Sequence, residues 1–289
     1  RLKGGNDGLN TLIPLGQYKK YNKLRPTISM PEQIRKLEKN QLGKSGMSLN
    51  PYMDKLKPWW KNGRPDGDIA WIQGVGYSRP ILSHFESADV WDTAARPGQS
   101  NRGWLSHILP GYQKNLHGIV LGDDLGPMSG KDCYAIAMKS PEIFLSQMGL
   151  LGELQPVHVN NPALAHLTAI QGQVLHAKSE FEQKMQKRRQ RPIGGRFANS
   201  VFGRQLESVA KMIINGIDAP VYMVELDGFD THVDQLNQQN HGLSYLADAL
   251  DSFASTMQRH GQGNKVMVMT YSEFGRRVQE NHGRGTDHG

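Results

Sequence analysis

The chain has 289 residues, of which 37% are hydrophobic and 21% are charged, and its formal net charge is +7. No apolar run approaches the roughly 20 residues of a membrane-spanning helix, so no membrane span is expected. The single cysteine, Cys133, excludes an intrachain disulfide and a cysteine-based metal site, because either needs two thiols. Basic residues cluster only at 184–191, without aromatic neighbours, which favours a solvated helix end over a nucleic-acid interface. The positive charge could still favour an anionic substrate.

The first half of the chain is predicted to contribute two strands to a core sheet. Residues 1–3 would finish the first strand, and the glycines around Asp7 permit a tight turn with close backbone approach to a ligand. Residues 16–66 are rich in Lys, Pro and Asn, so we expect loops and short helices there. The apolar run at 68–73 predicts a second core strand.

A helix is predicted to begin directly after Ser83, because its hydroxyl can cap free amides and Glu86 follows at the capping-box spacing. The same helix N-terminus favours an anion, so the Ser83 hydroxyl could attack a bound phosphate or sulfate ester. His84 beside it is a second catalytic candidate. Arg79 and Arg102 could bind the substrate anion, with surface salt bridges as the alternative for each arginine.

The second half of the chain alternates between predicted strands and helices. A strand is predicted at 119–121, and helical spacing dominates 141–189; helices at about 200–215 and 236–260 lead into strands at 221–226 and 266–270. This alternation predicts an α/β fold, a three-layer sandwich with a mostly parallel central sheet. We expect one domain over 1–289, with an insertion-rich or helical cap region at about 124–196.

Carboxylates and histidines gather just after the last two predicted strands. Because ligands of open α/β sheets bind beyond the carboxyl ends of strands, these side chains form a candidate metal centre together with Asp7. The candidate ligands are Asp7, Asp227, Asp230, His232, Glu273, Asp287 and His288. Oxygen and imidazole donors of this kind suit divalent Zn, Mn, Mg or Ca. Two alternatives stay open: Asp227 could simply end its strand, and Asp287 could orient a histidine with no ion present. Arg276, beside Glu273, is a further candidate for binding the substrate anion.

Several short motifs together resemble the bacterial family known as domain of unknown function 1501 (DUF1501), in the right order over nearly the whole chain. They are Gly4-Gly-Asn-Asp-Gly-Leu-Asn10, Gly74-Val-Gly-Tyr77, Ser83-His-Phe85 with Trp91, Gly103-Trp-Leu105, Gly228-Phe-Asp-Thr-His232 with Gln235, Ser272-Glu-Phe-Gly-Arg276 and Gly285-Thr-Asp-His-Gly289. That family is similar to the alkaline phosphatase and sulfatase superfamily. The resemblance implies an alkaline phosphatase-like two-metal hydrolase fold with a hydroxyl-type nucleophile. It also implies export to the periplasm or beyond by a twin-arginine signal, and we expect this chain to be truncated at both ends.

Carried over by position, the resemblance implies roles for particular residues. Asp7 would be the first metal ligand and Ser83 the nucleophile. Asp230 and His232 would bind one metal, Glu273 would stand where the superfamily has an aspartate, and His288 would match the late histidine. In two departures, Phe274 occupies the place of a ligating histidine, and the spacing of residues 230 and 232 is shorter than usual.

The sequence therefore predicts a metal-dependent hydrolase of phosphate or sulfate esters that uses a plain serine nucleophile. The alternative is a catalytically silent exported protein that binds an anionic small molecule or glycan in the same pocket.

Overall fold

A computed structural model describes residues 1–31, 39–60, 68–149, 161–185 and 191–289. The helices of these ranges are α1 Gly8–Thr11, α2 Tyr18–Leu24, α3 Lys57–Trp60, α4 His84–Thr93, α5 Pro141–Gly149, α6 Pro162–Lys184, α7 Val201–Ile214 and α8 Gln235–Arg259. The strands are β1 Leu12–Pro14, β2 Met47–Leu49, β3 Gly118–Leu121, β4 Ala135–Met138 and β5 Val221–Val224. The protein is thus a mixed α/β structure.

The central sheet is small and parallel, in the order β4-β3-β5. Leu2 adds parallel bridges to Leu226, just beyond β5, and to Ser272, so the first residues lie between these two segments. β1 and β2 form a separate antiparallel pair. The predicted α/β class and parallel pairing are confirmed, whereas a full alkaline phosphatase-like sandwich is not established by three short strands.

Two amphipathic helices, α7 and α8, supply much of the core. α7 begins at Ser200, whose hydroxyl accepts a hydrogen bond from the Gly203 amide at 3.0 Å. α7 packs against β5 and α8. The apolar residues that these two helices bury are Phe202, Leu206, Val209, Ala210, Met212, Ile214, Leu243, Leu246, Ala247, Ala249, Phe253 and Met257. Both helices confirm the predictions at 200–215 and 236–260, because their burial follows the apolar spacing that the sequence shows.

Two predicted core strands are wrong. Residues 68–73 and 266–270 are irregular, and their apolar side chains reach solvent: Ile72 is 80% exposed and Met267 is 90% exposed. A strand needs a neighbour for its backbone groups, and neither run is paired within a sheet in the described part of the chain. Conversely, β4 lies at the end of a region predicted to be loops and turns.

The predicted cap region at 124–196 is described only in part. Within it, α5 and α6 agree with the helical spacing, while residues 150–160 and 186–190 lie outside the described ranges. The basic run at 184–191 therefore falls largely outside them too, and the single-domain assignment stays a prediction. None of the described helices has the length and apolar character needed to cross a bilayer. Cys133 is buried, as expected for a structural thiol.

Candidate metal centre

The N-terminal turn of α4 is fixed by a patch of side chains that all contact residue 273. The Ser87 hydroxyl and the Trp91 indole N–H both donate to the Glu273 carbonyl oxygen, at 2.6 and 2.8 Å. His84, Ser87 and Trp91 share one face of the helix, since residues three, four and seven apart align on an α-helix. The His84 Nδ1–H donates to the Glu273 carboxylate at 2.8 Å. This docking presents His84 toward the loops that follow the sheet.

Glycines allow those loops to approach each other closely. Gly4 has a φ of 111°, and a Cβ there would lie 2.3 Å from the Asp230 amide nitrogen. A Cβ on Gly285 would lie 2.3 Å from the carbonyl carbon of His232. Since real Cβ atoms do not make such contacts, side chains at these positions would push the segments around 230–232 away from their neighbours.

Three imidazoles converge on one carboxylate oxygen and form what we call the histidine cluster: His84, His232 and His288 around Asp230. Asp230 Oδ1 lies 3.3 Å from His84 Nε2, 3.0 Å from His232 Nε2 and 3.3 Å from His288 Nε2. The Nε2 atoms of His232 and His288 are 2.9 Å apart. The cluster is partly open, because the Asp230 side chain is 49% exposed.

The cluster brings together more acceptor atoms than protons. His84 donates its Nδ1 proton to Glu273, and His288 Nδ1 faces the Leu82 carbonyl oxygen at 2.6 Å, which can only accept. In their neutral forms both rings therefore direct an Nε2 lone pair toward Asp230, which is also an acceptor when ionised. His84 Nε2 is a buried atom without a hydrogen-bond partner. Lone pairs that converge in this way are stabilised by a cation at their centre.

Arg276 organises the loops around the cluster. Its guanidinium side chain is fully buried and donates to the carbonyl oxygens of Gly4, Gly5, Phe229 and Thr286 as well as to Asp230 Oδ1 at 2.6 Å. Burial of Asp230 would raise its pKa, but the hydrogen bond and the positive charge of Arg276 favour the carboxylate, and the pKa is lowered to about 2. Asp230 is therefore a carboxylate at any physiological pH.

Phe274 forms an apolar wall beside the cluster. Its ring centroid lies 4.7 Å from that of His84 and 4.6 Å from that of His288. On another side it contacts Gly5, where a Cβ would come within 2.5 Å of the ring. Phe274 is thus packed directly against two of the converging imidazoles.

The structure brings only some of the predicted ligands together. Asp230, His232 and His288 meet, and Glu273 reaches the cluster through His84. Asp7 is buried, and its carboxylate accepts from the Arg25 guanidinium, the Gln235 amide and the Leu9 backbone N–H. No direct contact joins Asp7 to the three histidines among the described residues.

The remaining acidic candidates lie at the margin. Asp227 is 75% exposed and pairs with Lys3 at 3.6 Å. Asp287 Oδ1 accepts from Asn281 and lies 3.4 Å from His232 Nδ1, so it faces the side of that ring opposite the cluster. A carboxylate in this position orients the His232 ring, whereas the sequence alternative concerned the adjacent Asp287-His288 pair.

The predicted catalytic and substrate-binding residues have mixed placements. Ser83 caps α4 as expected, with its Oγ 3.5 Å from the Glu86 amide. It stands between Leu82, whose carbonyl contacts His288, and His84. Arg79 is exposed, Arg102 pairs loosely with Asp132 at 3.6 Å, and neither contacts the cluster among the described residues. Their roles stay predictions.

Sequence reasoning did not identify His84 as a ligand candidate. The signal was the helix start at Ser83, which places His84 in the first turn and close to the predicted catalytic serine. The sequence does not show the direction in which the His84 ring points, because that direction depends on how Ser87 and Trp91 pack against residue 273.

The histidine cluster fits a divalent ion of the zinc class. Zn²⁺ binds imidazole at roughly 2.0–2.1 Å in tetrahedral geometry, so neighbouring donor atoms should lie about 3.3–3.4 Å apart. The separations of 3.0 and 3.3 Å around Asp230 Oδ1 are close to that value. His84, Asp230 and His288 form the group whose ligand atoms all lie within 4.8 Å of one another, and His232 adjoins that group through Asp230 and His288.

Comparison with known proteins supports the predicted family over the second part of the chain. No curated protein and no solved structure shows a detectable match. Residues 161–289 match the family model described as "Protein of unknown function (DUF1501)". The matched range includes the segments that carry Asp230, His232, Glu273 and His288. The matched segment is less than half of the chain, and over that segment the chain is similar to the DUF1501 family.

Proposed function

We propose that this protein is a metal-dependent hydrolase of phosphate or sulfate esters in which Ser83 is the nucleophile. The observation that carries the proposal is the convergence of three imidazole Nε2 atoms on the ionised Asp230 carboxylate, beside a serine at a helix N-terminus. A divalent ion bound there would neutralise charge on an ester oxygen and lower the pKa of a bound hydroxyl. His84, His232, His288 and Asp230 would hold it.

Ser83 is suited to attack an anionic ester. It is partly exposed at the start of a ten-residue helix, where free backbone amides favour negative charge. Its capping bond is long, at 3.5 Å, so its hydroxyl is only weakly held by the helix. The net charge of +7 would assist the approach of an anion.

Turnover of aryl phosphates and aryl sulfates by the zinc-loaded protein tests this proposal. We expect release of the aryl alcohol that is abolished in Ser83→Ala and unchanged in Ser179→Ala, an exposed serine on α6. Turnover that persists in Ser83→Ala would refute the role of Ser83. Absence of turnover with every ester of a broad panel would refute the hydrolase assignment.

The second candidate is a silent exported protein that binds an anionic small molecule or glycan. It is favoured by one observation: three histidines and Asp230 already make four donors, and structural zinc sites are closed in this way, whereas catalytic sites keep an open position. This candidate predicts binding of sulfated or phosphorylated glycans that survives Ser83→Ala, without turnover. Export is an expectation from the family resemblance.

A further inference from the structure

We infer that the histidine cluster binds one ion of the zinc class rather than a pair of metal ions, with His84 as one of its ligands. This inference rests on the proposed function and specifies its cofactor. It concerns the number of ions, the identity of the ion and a ligand that the sequence pattern did not assign.

The other predicted ligands are engaged in contacts away from the histidine cluster. A second ion would lie about 3.5–4 Å from the first and would need its own donors. Asp7 is held in a fully buried ion pair with Arg25, and Asp227 is drawn to Lys3 on the surface. Within the described residues, the ligand atoms of His84, Asp230 and His288 all lie within 4.8 Å of one another. His232 Nε2 adjoins two of these three residues, at 3.0 Å from Asp230 Oδ1 and 2.9 Å from His288 Nε2.

An aromatic side chain occupies the space on one side of the cluster, where a second ion would need ligands. The Phe274 ring packs against both His84 and His288 and reaches Gly5, so an aromatic hydrocarbon fills the space on that side. A phenyl ring has no lone pair with which to bind a cation. Phe274 thus walls off the side of the cluster that adjoins Gly5.

Glu273 hydrogen-bonds a metal ligand, His84, and does not itself bind the ion. One oxygen, Oε1, accepts from both the Gly4 amide and His84 Nδ1, each at 2.8 Å. A carboxylate in that position fixes the tautomer and orientation of a ligating histidine and raises its basicity. This arrangement assigns His84 to the inner ligand set and Glu273 to its support.

The donor set also selects the kind of ion. Mg²⁺ and Ca²⁺ prefer oxygen ligands, whereas imidazole suits Zn²⁺ and its neighbours in the first transition series. Three imidazoles and one carboxylate should therefore bind Zn²⁺ far more tightly than either alkaline earth ion.

Metal stoichiometry is the decisive measurement. The tag-free protein would be stripped with a chelator, reloaded with excess Zn²⁺, desalted, and analysed by elemental analysis and native mass spectrometry. We expect one Zn²⁺ per chain that is not displaced by a large excess of Mg²⁺ or Ca²⁺. Two ions per chain, or displacement by Mg²⁺, would overturn this inference and leave the proposed hydrolase standing. No bound ion would overturn the proposed function itself.

A ligand variant and a spectrum test His84 separately. His84→Ala should weaken Zn²⁺ binding by more than about 100-fold, beyond the usual effect of removing an outer partner. The matched control is His241→Ala, an exposed histidine on α8. Since His84→Ala could also disturb the fold, the wild-type protein loaded with Co²⁺ provides a test without a variant. Intense visible absorption of tetrahedral Co²⁺ is expected, and the weak absorption of an octahedral ion would overturn the assigned ligand set.

Discussion

Replacing Glu273 by glutamine should weaken metal binding while keeping the shape of the site. Because a single oxygen accepts from both Gly4 and His84, the amide oxygen of glutamine can keep both hydrogen bonds. The negative charge is lost, together with the long hydrogen bond of 3.3 Å that the Ser272 hydroxyl donates to the other oxygen, Oε2. Charge-assisted hydrogen bonds are roughly twice as strong as neutral ones. Loss of such outer support typically lowers metal affinity by about 10-fold to 100-fold, which corresponds to about 1.4–2.7 kcal/mol.

The assay is a competition titration with a chromophoric chelator at pH 7.5. Glu280→Gln is the control, since Glu280 accepts backbone N–H groups from Thr27 and Ile28 and does not touch the histidines. An affinity in Glu273→Gln equal to that of the wild type would refute the assignment of His84 as a ligand supported by this carboxylate.

The same variant carries a pH signature in the metal-free protein. Burial tends to raise the pKa of Glu273, but backbone hydrogen bonds and the one with His84 outweigh it, so the pKa is lowered. An ionised carboxylate of this kind stabilises the fold at neutral pH, and the stabilisation is lost as the pH falls through its folded pKa. The wild type should therefore be more resistant to urea than Glu273→Gln at pH 7, with the difference shrinking in acid.

Three further predictions concern the loop at Gly285, the buried Asp92 of α4 and the cap of α7. Gly285→Ala should lower Zn²⁺ affinity, measured by the same titration, because its Cβ would displace the His232 backbone; unchanged affinity would contradict this. Asp92 has a pKa raised to about 6, mainly by burial, so its ionisation costs stability. As the pH rises from 4 to 7, the free energy of unfolding of the wild type should fall by up to about 3 kcal/mol relative to that of Asp92→Asn, because each unit of pKa shift corresponds to about 1.4 kcal/mol. Urea unfolding measures this difference, and parallel pH profiles of the two proteins would refute the shift. Ser200→Ala should cost about 1 kcal/mol of unfolding free energy by removing the cap of α7, and no loss would show that the cap is dispensable.

The helices and two of the strands were predictable because their residues carry a local signal. α7 and α8 show apolar spacing over several turns, and β3 is a continuous apolar run in a buried position. The run at 266–270 has the same local character as β3, yet it is exposed, because burial depends on neighbours that lie far away in the chain. Periodicity therefore could not separate these two runs.

The candidate site was predictable in its residue types and only partly in its geometry. Asp230 and His232 follow from their position after β5, whereas the run at 266–270 that was expected to place His288 forms no strand. Asp7 has the same local pattern, but Arg25 lies 18 residues away in sequence and captures its carboxylate. Arg276 was expected to bind substrate, and only the folded structure reveals that its guanidinium is engaged by the protein's own carbonyl oxygens.

This buried guanidinium makes the site a single cooperative unit. The segments around Gly4, Phe229 and Thr286 are far apart in sequence, but each is joined to Arg276 by hydrogen bonds. If one segment opened, the guanidinium would lose a partner while still buried, and a buried unpaired cation is very costly. The three segments should therefore open together or not at all, so their backbone amides should exchange with deuterium at a common rate.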